Sequence, residues 1–338
     1  MKSLALAFLG AAVALLAQAP NANSGSTTGV SIPTLGFVAG QAPARLQPIL
    51  GIPGSARLGS PVLLPMTVTR IHLAPGHAYA LVEQARGNPL ALVSLQAITA
   101  QTHNLPLAPM PGVIGEADVF AFSPTGRSAA LYSRQTNQLQ VLTGLPKSPQ
   151  LLLNVPNLAI ANAPQKIAVS DDAQAVLISD SAGSVYSVSQ NAAPVPVHHS
   201  PEISALAFVA QSRESIICDR SLNTISFLRD SNATPVALGP ATNDRCEPEA
   251  AASTADGKTI LLACPAQRAV LSIDRASGLA RLHRVGTSPG ALQALGVRDV
   301  FLMTPAERGI YWLFVWGPNG PVASFVAAAR NASQGSDN

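Results

Sequence analysis

The sequence predicts an all-β chain folded as a β-propeller of four-stranded antiparallel blades, seven in number, with six as the alternative. Three observations lead there. A turn signal recurs about every 40 to 50 residues. Each copy is followed by an apolar strand, a short polar loop and a second apolar strand. Helical periodicity is almost absent beyond the N-terminal segment. A lone four-stranded sheet cannot bury both of its faces. Stacking such sheets radially covers each with its neighbours and spreads the core over many small interfaces.

The turn is clearest at residues 123–127 (Ser-Pro-Thr-Gly-Arg), 170–174 (Ser-Asp-Asp-Ala-Gln) and 254–258 (Thr-Ala-Asp-Gly-Lys), with weaker copies at 74–77 and 210–214. Pro or Asp early in the turn presets the backbone, and Gly late in it supplies a positive φ. The strand after each turn is almost continuously apolar, as in residues 129–132, 176–178 and 259–264, which fits an element covered on both faces. The next strand tends to alternate and is expected to be the more exposed. Modules of this kind span 67–109, 116–155, 164–198, 203–238, 247–284 and 290–328. Residues 34–64 hold further strand-like stretches that form a seventh, reduced blade or add to the ring closure.

The ends of the chain read differently. Residues 1–19 have the build of a signal peptide: Lys2, an apolar run over 4–16, then Ala17-Gln18-Ala19. The run is shorter than the roughly 20 residues needed to span a bilayer, so no transmembrane anchor is expected after its removal. Pro20 is unfavourable next to a cleavage point, which leaves the exact cut open. Residues 20–33 are expected to be a flexible segment, 34–330 a single propeller domain and 331–338 a disordered tail. The expected location is exported, periplasmic or extracellular. Export permits disulfides. Three cysteines allow one bridge at most, from Cys246 to Cys218 or to Cys264. Hairpin arithmetic around residues 256–257 sets Cys264 opposite Glu249, close to Cys246.

Charged residues make up only 12% of the chain, against about 25% in an ordinary domain. The 21 basic residues are scattered, without the clustered footprint of a nucleic-acid binder. No zinc-protease, phosphate-loop, dinucleotide or nucleophile-elbow motif occurs. No catalytic residue, metal ligand or cofactor is therefore assigned, and the six histidines are expected in exposed loops. What remains is a face. In a propeller the loops between blades and the loops after each second strand share one end of the ring. That face carries Glu83, Arg86, Glu116, Arg134, His199, Glu202, Asp219, Arg220, Arg245, Glu247, Arg268, Glu307 and Arg308. The expectation is a monomeric, non-enzymatic binding or scaffold module whose partner is a protein, an extracellular polymer or another ligand.

The repeating unit also resembles a known family. Ser179-Asp180-Ser181-Ala182-Gly183-Ser184-Val185 and Cys218-Asp219-Arg220-Ser221-Leu222-Asn223-Thr224-Ile225 are similar to the paired strands of secreted bacterial YVTN-type β-propellers. That group includes propellers like the quinoprotein amine dehydrogenase β-chain and lactonase-like propellers. Residues 50–59 resemble the start of uncharacterised exported bacterial propellers. The resemblance covers 35–328 and implies the fold. It leaves activity open, since the group hosts binding, scaffold and enzymatic members. Two alternatives follow from it. One is a hydrolase or lactonase at the channel mouth, drawing on Glu116, His199, Glu202 and Glu247. The other is a non-catalytic subunit of a periplasmic redox complex, with any cofactor on the partner chain because no C-x-x-C-H occurs here.

Overall fold

A computed structural model gives seven four-stranded antiparallel sheets, each drawn from one contiguous stretch of chain and together forming a β-propeller. It describes residues 32–328 except 41–43, 66, 86–87, 97, 99–104, 190–191, 230–235, 241–244, 304–309 and 319, together with the side chains of 236–240. The expected signal peptide and tail, and most of the segment expected to be flexible, lie outside the described residues. None of the described helices is long and apolar enough to cross a membrane.

Blade 1 consists of β1 (Thr34–Gly40), β2 (Arg45–Leu50), β3 (Arg57–Leu58) and β4 (Val62–Leu63). Its last two strands are short and both pair with β2, so this is the reduced blade. Blade 2 holds β5 (Val68–Leu73), β6 (Tyr79–Gln84), β7 (Ala91–Ser94) and β8 (Ala108–Pro109). Blade 3 holds β9 (Val119–Phe122), β10 (Ala129–Ser133), β11 (Gln138–Thr143) and β12 (Gln150–Pro156). Blade 4 holds β13 (Pro164–Val169), β14 (Val176–Asp180), β15 (Ser184–Val188) and β16 (Val195–His199). Blade 5 holds β17 (Ile203–Phe208), β18 (Ser215–Asp219), β19 (Thr224–Leu228) and β20 (Val236–Pro240). Blade 6 holds β21 (Ala250–Ser253), β22 (Thr259–Cys264), β23 (Ala269–Asp274) and β24 (Ala280–Arg284). Blade 7 holds β25 (Gln293–Ala294), β26 (Val300–Met303), β27 (Tyr311–Gly317) and β28 (Gly320–Val326).

The core sits between blades. Among the described residues each of the seven seams has its own buried apolar cluster. The second strands explain why their sequences are continuously apolar. In β10, Ala129 and Leu131 pack towards blade 2, while Ala130 and Tyr132 pack towards blade 4. Alternate side chains leave a strand on opposite faces, and here both faces meet another sheet. The third strands divide: β7, β15 and β27 are more exposed than their predecessors, as expected, whereas three others depart from that expectation. β11, β19 and β23 are as buried as their predecessors through most of their length, because the fourth strand covers their edge and the neighbouring blades cover their faces. Exposure falls instead on fourth strands such as β12 and β24.

At one end of the ring the turns between first and second strands hold successive blades together. Residues 77, 126, 173 and 257 occupy the same turn position with φ between 49° and 70°. Gly257 is required there: a Cβ would stand 2.6 Å from the carbonyl oxygen of Ala210 in the blade before. Hydrogen bonds cross every seam. The N–H of Phe37 donates to His77 Nδ1 (2.8 Å), and Tyr79 Oη donates to the Gly126 carbonyl (2.6 Å). Asp171 accepts from Thr125 on one side and from the Gln211 N–H on the other. Gln211 donates to the Ala255 carbonyl, the Ala255 N–H donates to Asp299, and the Gly296 N–H donates to the Leu35 carbonyl. Closure is completed at the periphery, where Ala327 bridges in parallel to Arg57 of β3.

Candidate functional site

The antiparallel order puts the loops between blades, and those after each second strand, at the end of the ring opposite these turns. Three of the predicted face residues come together there. Glu83, Glu116 and Arg134 line a cleft of about 600 Å3 between blades 2 and 3, along with Arg70 and Asp118. The register of blade 2 builds it. Arg70 lies directly opposite Glu83 across β5 and β6, after a bulge between Val68 and Arg70. Directly opposed side chains share a face of the sheet. His72, two residues further along β5, shares it too.

Glu83 is only 3% exposed, and a buried carboxylate must be paired. Its Oε1 receives Arg70 Nη1 at 3.2 Å, His72 Nε2 at 2.8 Å and the Ala117 N–H at 3.4 Å. Arg70 Nη1 also donates to the Ala117 carbonyl at 2.7 Å, tying blade 2 to the loop that begins blade 3. The His72 ring stacks on Phe120 of β9, with ring centroids 4.0 Å apart. Arg134 is anchored through its backbone, whose N–H donates to Asp118 at 2.6 Å. Its guanidinium and the Glu116 carboxylate stay exposed at the cleft. The arrangement is a fixed floor, Glu83 with Arg70, below free charges of both signs.

A second group forms on blades 4 to 6. Arg220 pairs with Glu202 at 3.5 Å and also with Glu249. Asp219 is buried and shapes the loops. It accepts from Ser200 and the Glu202 N–H on one oxygen, and from Ser221 and the Leu222 N–H on the other. Burial pushes its carboxyl up, and these hydrogen bonds outweigh that, holding it below the usual range. The Glu247 N–H donates to Asn223, and Arg245 reaches the Ser221 carbonyl at 3.2 Å. Cys246 and Cys264 form the disulfide across this region, with Cα atoms 4.8 Å apart. Cys218 is a buried free thiol in the same apolar cluster. His199 is exposed at the end of β16, with Nδ1 3.4 Å from Ser184 Oγ. Arg268, at φ 50°, ends a short 3-10 turn over Pro265–Gln267. Arg86, Glu307 and Arg308 lie outside the described residues.

The predicted face thus resolves into a cleft and a separate ion-paired group, and the four residues named for a hydrolase are divided between them. Glu116 is in the cleft, whereas Glu202, Glu247 and His199 are on blades 4 to 6. Among the described residues no group of three or more His, Cys, Asp or Glu is arranged to hold a metal ion. The histidines also need correcting. His72 lies on an inner strand and His77 is buried at a seam, where each has a structural partner. Arg70, His72 and Asp118 were not among the predicted residues. Aligning the blades on their turns reveals the signal, because the place of His72 is taken by Ala121, Ala168, Ala207 and Ala252 in blades 3 to 6.

Neither a protein-family model nor a curated protein matches the chain. Solved structures do. A protein of unknown function from Desulfotomaculum acetoxidans DSM 771 aligns with a TM-score of 0.58 at 13% identity, over 88% of this chain and 100% of its own. Kluyveromyces lactis Hsv2 aligns with a TM-score of 0.50 at 11% identity, over 70% of this chain and 71% of its own. At such identities the likeness is one of fold alone.

Proposed function

We propose that this propeller is an exported, non-enzymatic binding module of the YVTN type, which engages a protein or extracellular polymer through its channel-mouth face. The observation that carries the reading is the cleft between blades 2 and 3. There Glu116 and Arg134 present free charges above a floor made rigid by the buried Glu83 and its ties to Arg70 and His72. Charges of both signs in an open cleft favour a complementary polar partner, and their fixed spacing supplies specificity more than raw affinity. In a chain with so few charged residues, such grouping is a built feature of the surface. The apolar run and Ala-Gln-Ala pattern of residues 4–19 support export.

The test compares the wild-type chain with a Glu116→Ala/Arg134→Ala double variant as bait against envelope and extracellular fractions of the producing cell. Loss of at least one saturable partner in the variant is the expected outcome. Retention of every partner by a folded variant rejects the reading. Export is tested separately, by fusing residues 1–33 to a reporter and sequencing the N-terminus of what leaves the cytoplasm.

A further inference from the structure

We propose that the central channel is a second binding site, one for a small planar aromatic molecule bearing a hydroxyl group. It goes beyond the rim reading and shares with it only the Glu83–His72 pair. The channel is a cavity of about 380 Å3 lined by the inner strands of blades 2 to 7. That volume lies in the range of small-molecule pockets, which are typically about 300 to 1,000 Å3. Its width has a cause in the sequence. One level of the channel is made by Ala121, Ala168, Ala207 and Ala252, at the same register position in four successive blades. Methyl groups there leave room that larger side chains would close.

The ring of alanines is broken at His72 in blade 2 and at Gln293 in blade 7, and the first break sets the ligand chemistry. His72 lines the channel with its ring stacked on Phe120, and Phe122 packs edge-on against Phe120, so this wall is aromatic. Aromatic walls favour planar aromatic guests in offset or edge-to-face contact. The geometry also selects a tautomer for the neutral ring. Glu83, an acceptor, lies 2.8 Å from Nε2, so Nε2 carries the hydrogen. The neutral ring then holds its lone pair at Nδ1, and no described residue donates to it. A hydroxyl supplies the donor that is missing. The carboxylate behind the imidazole strengthens it as an acceptor, as outer partners do for ligating histidines.

The probes are 2-naphthol and 2-methoxynaphthalene, which share a ring system but differ in the hydrogen-bond donor. Each is titrated into the full chain at pH 8 by calorimetry. The expected result is saturable 1:1 binding of 2-naphthol, with the methoxy compound about tenfold weaker, the worth of one buried hydrogen bond. His72→Phe keeps the stacking surface and abolishes the preference. Ala207→Leu and Ala252→Leu fill the channel from two different blades, and each abolishes binding of both probes. The Glu116→Ala/Arg134→Ala variant binds 2-naphthol unchanged, which separates this site from the rim. The proposal is overturned by three results: no saturable binding to the wild type, binding that survives both folded leucine variants, or a hydroxyl preference that persists in His72→Phe. Should His72→Phe not fold, the leucine variants and the paired probes still decide it.

Discussion

The backbone N–H of Phe37 donates to Nδ1 of His77 at 2.8 Å across the seam between blades 1 and 2. This bond joins a strand near the start of the described chain to the first inter-strand turn of the next blade. It also requires the imidazole to keep a lone pair. His77 is almost fully buried, its Nε2 has no partner among the described residues, and burial pushes its pKa down to about 4.

That gives a pH dependence with a definite sign. In the unfolded chain His77 titrates near 6.5, so between about 6.5 and about 4 the unfolded state binds the extra proton. Stability is complete above pH 6.5 and falls as the pH drops through that window, by about 3 kcal/mol for this group alone. Urea unfolding from pH 7.5 to 4.5 measures it. His77→Asn keeps an acceptor and tolerates the positive φ, and its stability curve loses that share of the slope.

Adjacent aspartates should behave differently. Asp171 accepts from blades 3 and 5 at once, through Thr125 and Gln211. Asp171→Ala is expected to cost about 2 kcal/mol, the scale of hydrogen bonds to a charged acceptor. Asp172 accepts from Ser170 and the Gln174 N–H within its own turn and pairs with Arg213 at the surface, the paired side chains being well exposed. Asp172→Ala is expected to cost about 1 kcal/mol, half as much. Denaturant melts of the two variants, with equal m values, check the contrast.

Thiol chemistry separates the three cysteines. Cys218 is fully buried and its thiol is pushed up to about 12, so a thiol reagent such as Ellman's finds no reactive group in the native protein. Unfolding without reductant exposes one thiol, and unfolding after reduction exposes three. Breaking the Cys246–Cys264 bridge, which spans 18 residues of sequence, is expected to cost about 3 kcal/mol. Thermal melts with and without reductant, and of Cys246→Ser/Cys264→Ser, measure that loss.

At the cleft, stability and binding should part company. Glu116→Ala and Arg134→Ala are surface changes expected to stay within about 0.5 kcal/mol of the wild type. Glu83→Ala leaves His72 and the Arg70 guanidinium without their carboxylate and is expected to cost about 2 kcal/mol, reduced from the fully buried case because Arg70 is half exposed. Chemical denaturation of the three variants orders them.

The wheel was legible in the sequence because its physical cause repeats. A strand such as β10 or β14 has a sheet on either side, so it is apolar until its last residues, and a turn with Pro or Asp early and Gly late announces each return. The boundaries of the modules agree with the blades to within a few residues, 116–155 against Val119–Pro156 in blade 3 for example. Third strands such as β19 were misread because their alternation looks like a surface signal, whereas neighbouring blades cover both of their faces. The floor of the cleft was missed for another reason. Loops are not the only place for such residues: His72 is a polar residue on an inner strand and stands out only beside the alanines of its counterparts. Which rim residues would meet depended on the β5 bulge that brings Arg70 opposite Glu83, and composition does not encode a bulge.

Every sheet here is cut from a single uninterrupted length of chain, and the meeting of the two ends rests on hydrogen bonds such as Leu58 to Ala327 and Gly296 to Leu35. Among the described residues no blade borrows a full strand from the far terminus, and only the single bridge of Ala327 to Arg57 joins the two ends in a sheet. The molecule therefore has no privileged starting point: joining the ends and opening the backbone at any linker between blades leaves all seven sheets whole, and circular permutants should differ in stability only by the quality of the seam chosen for the cut.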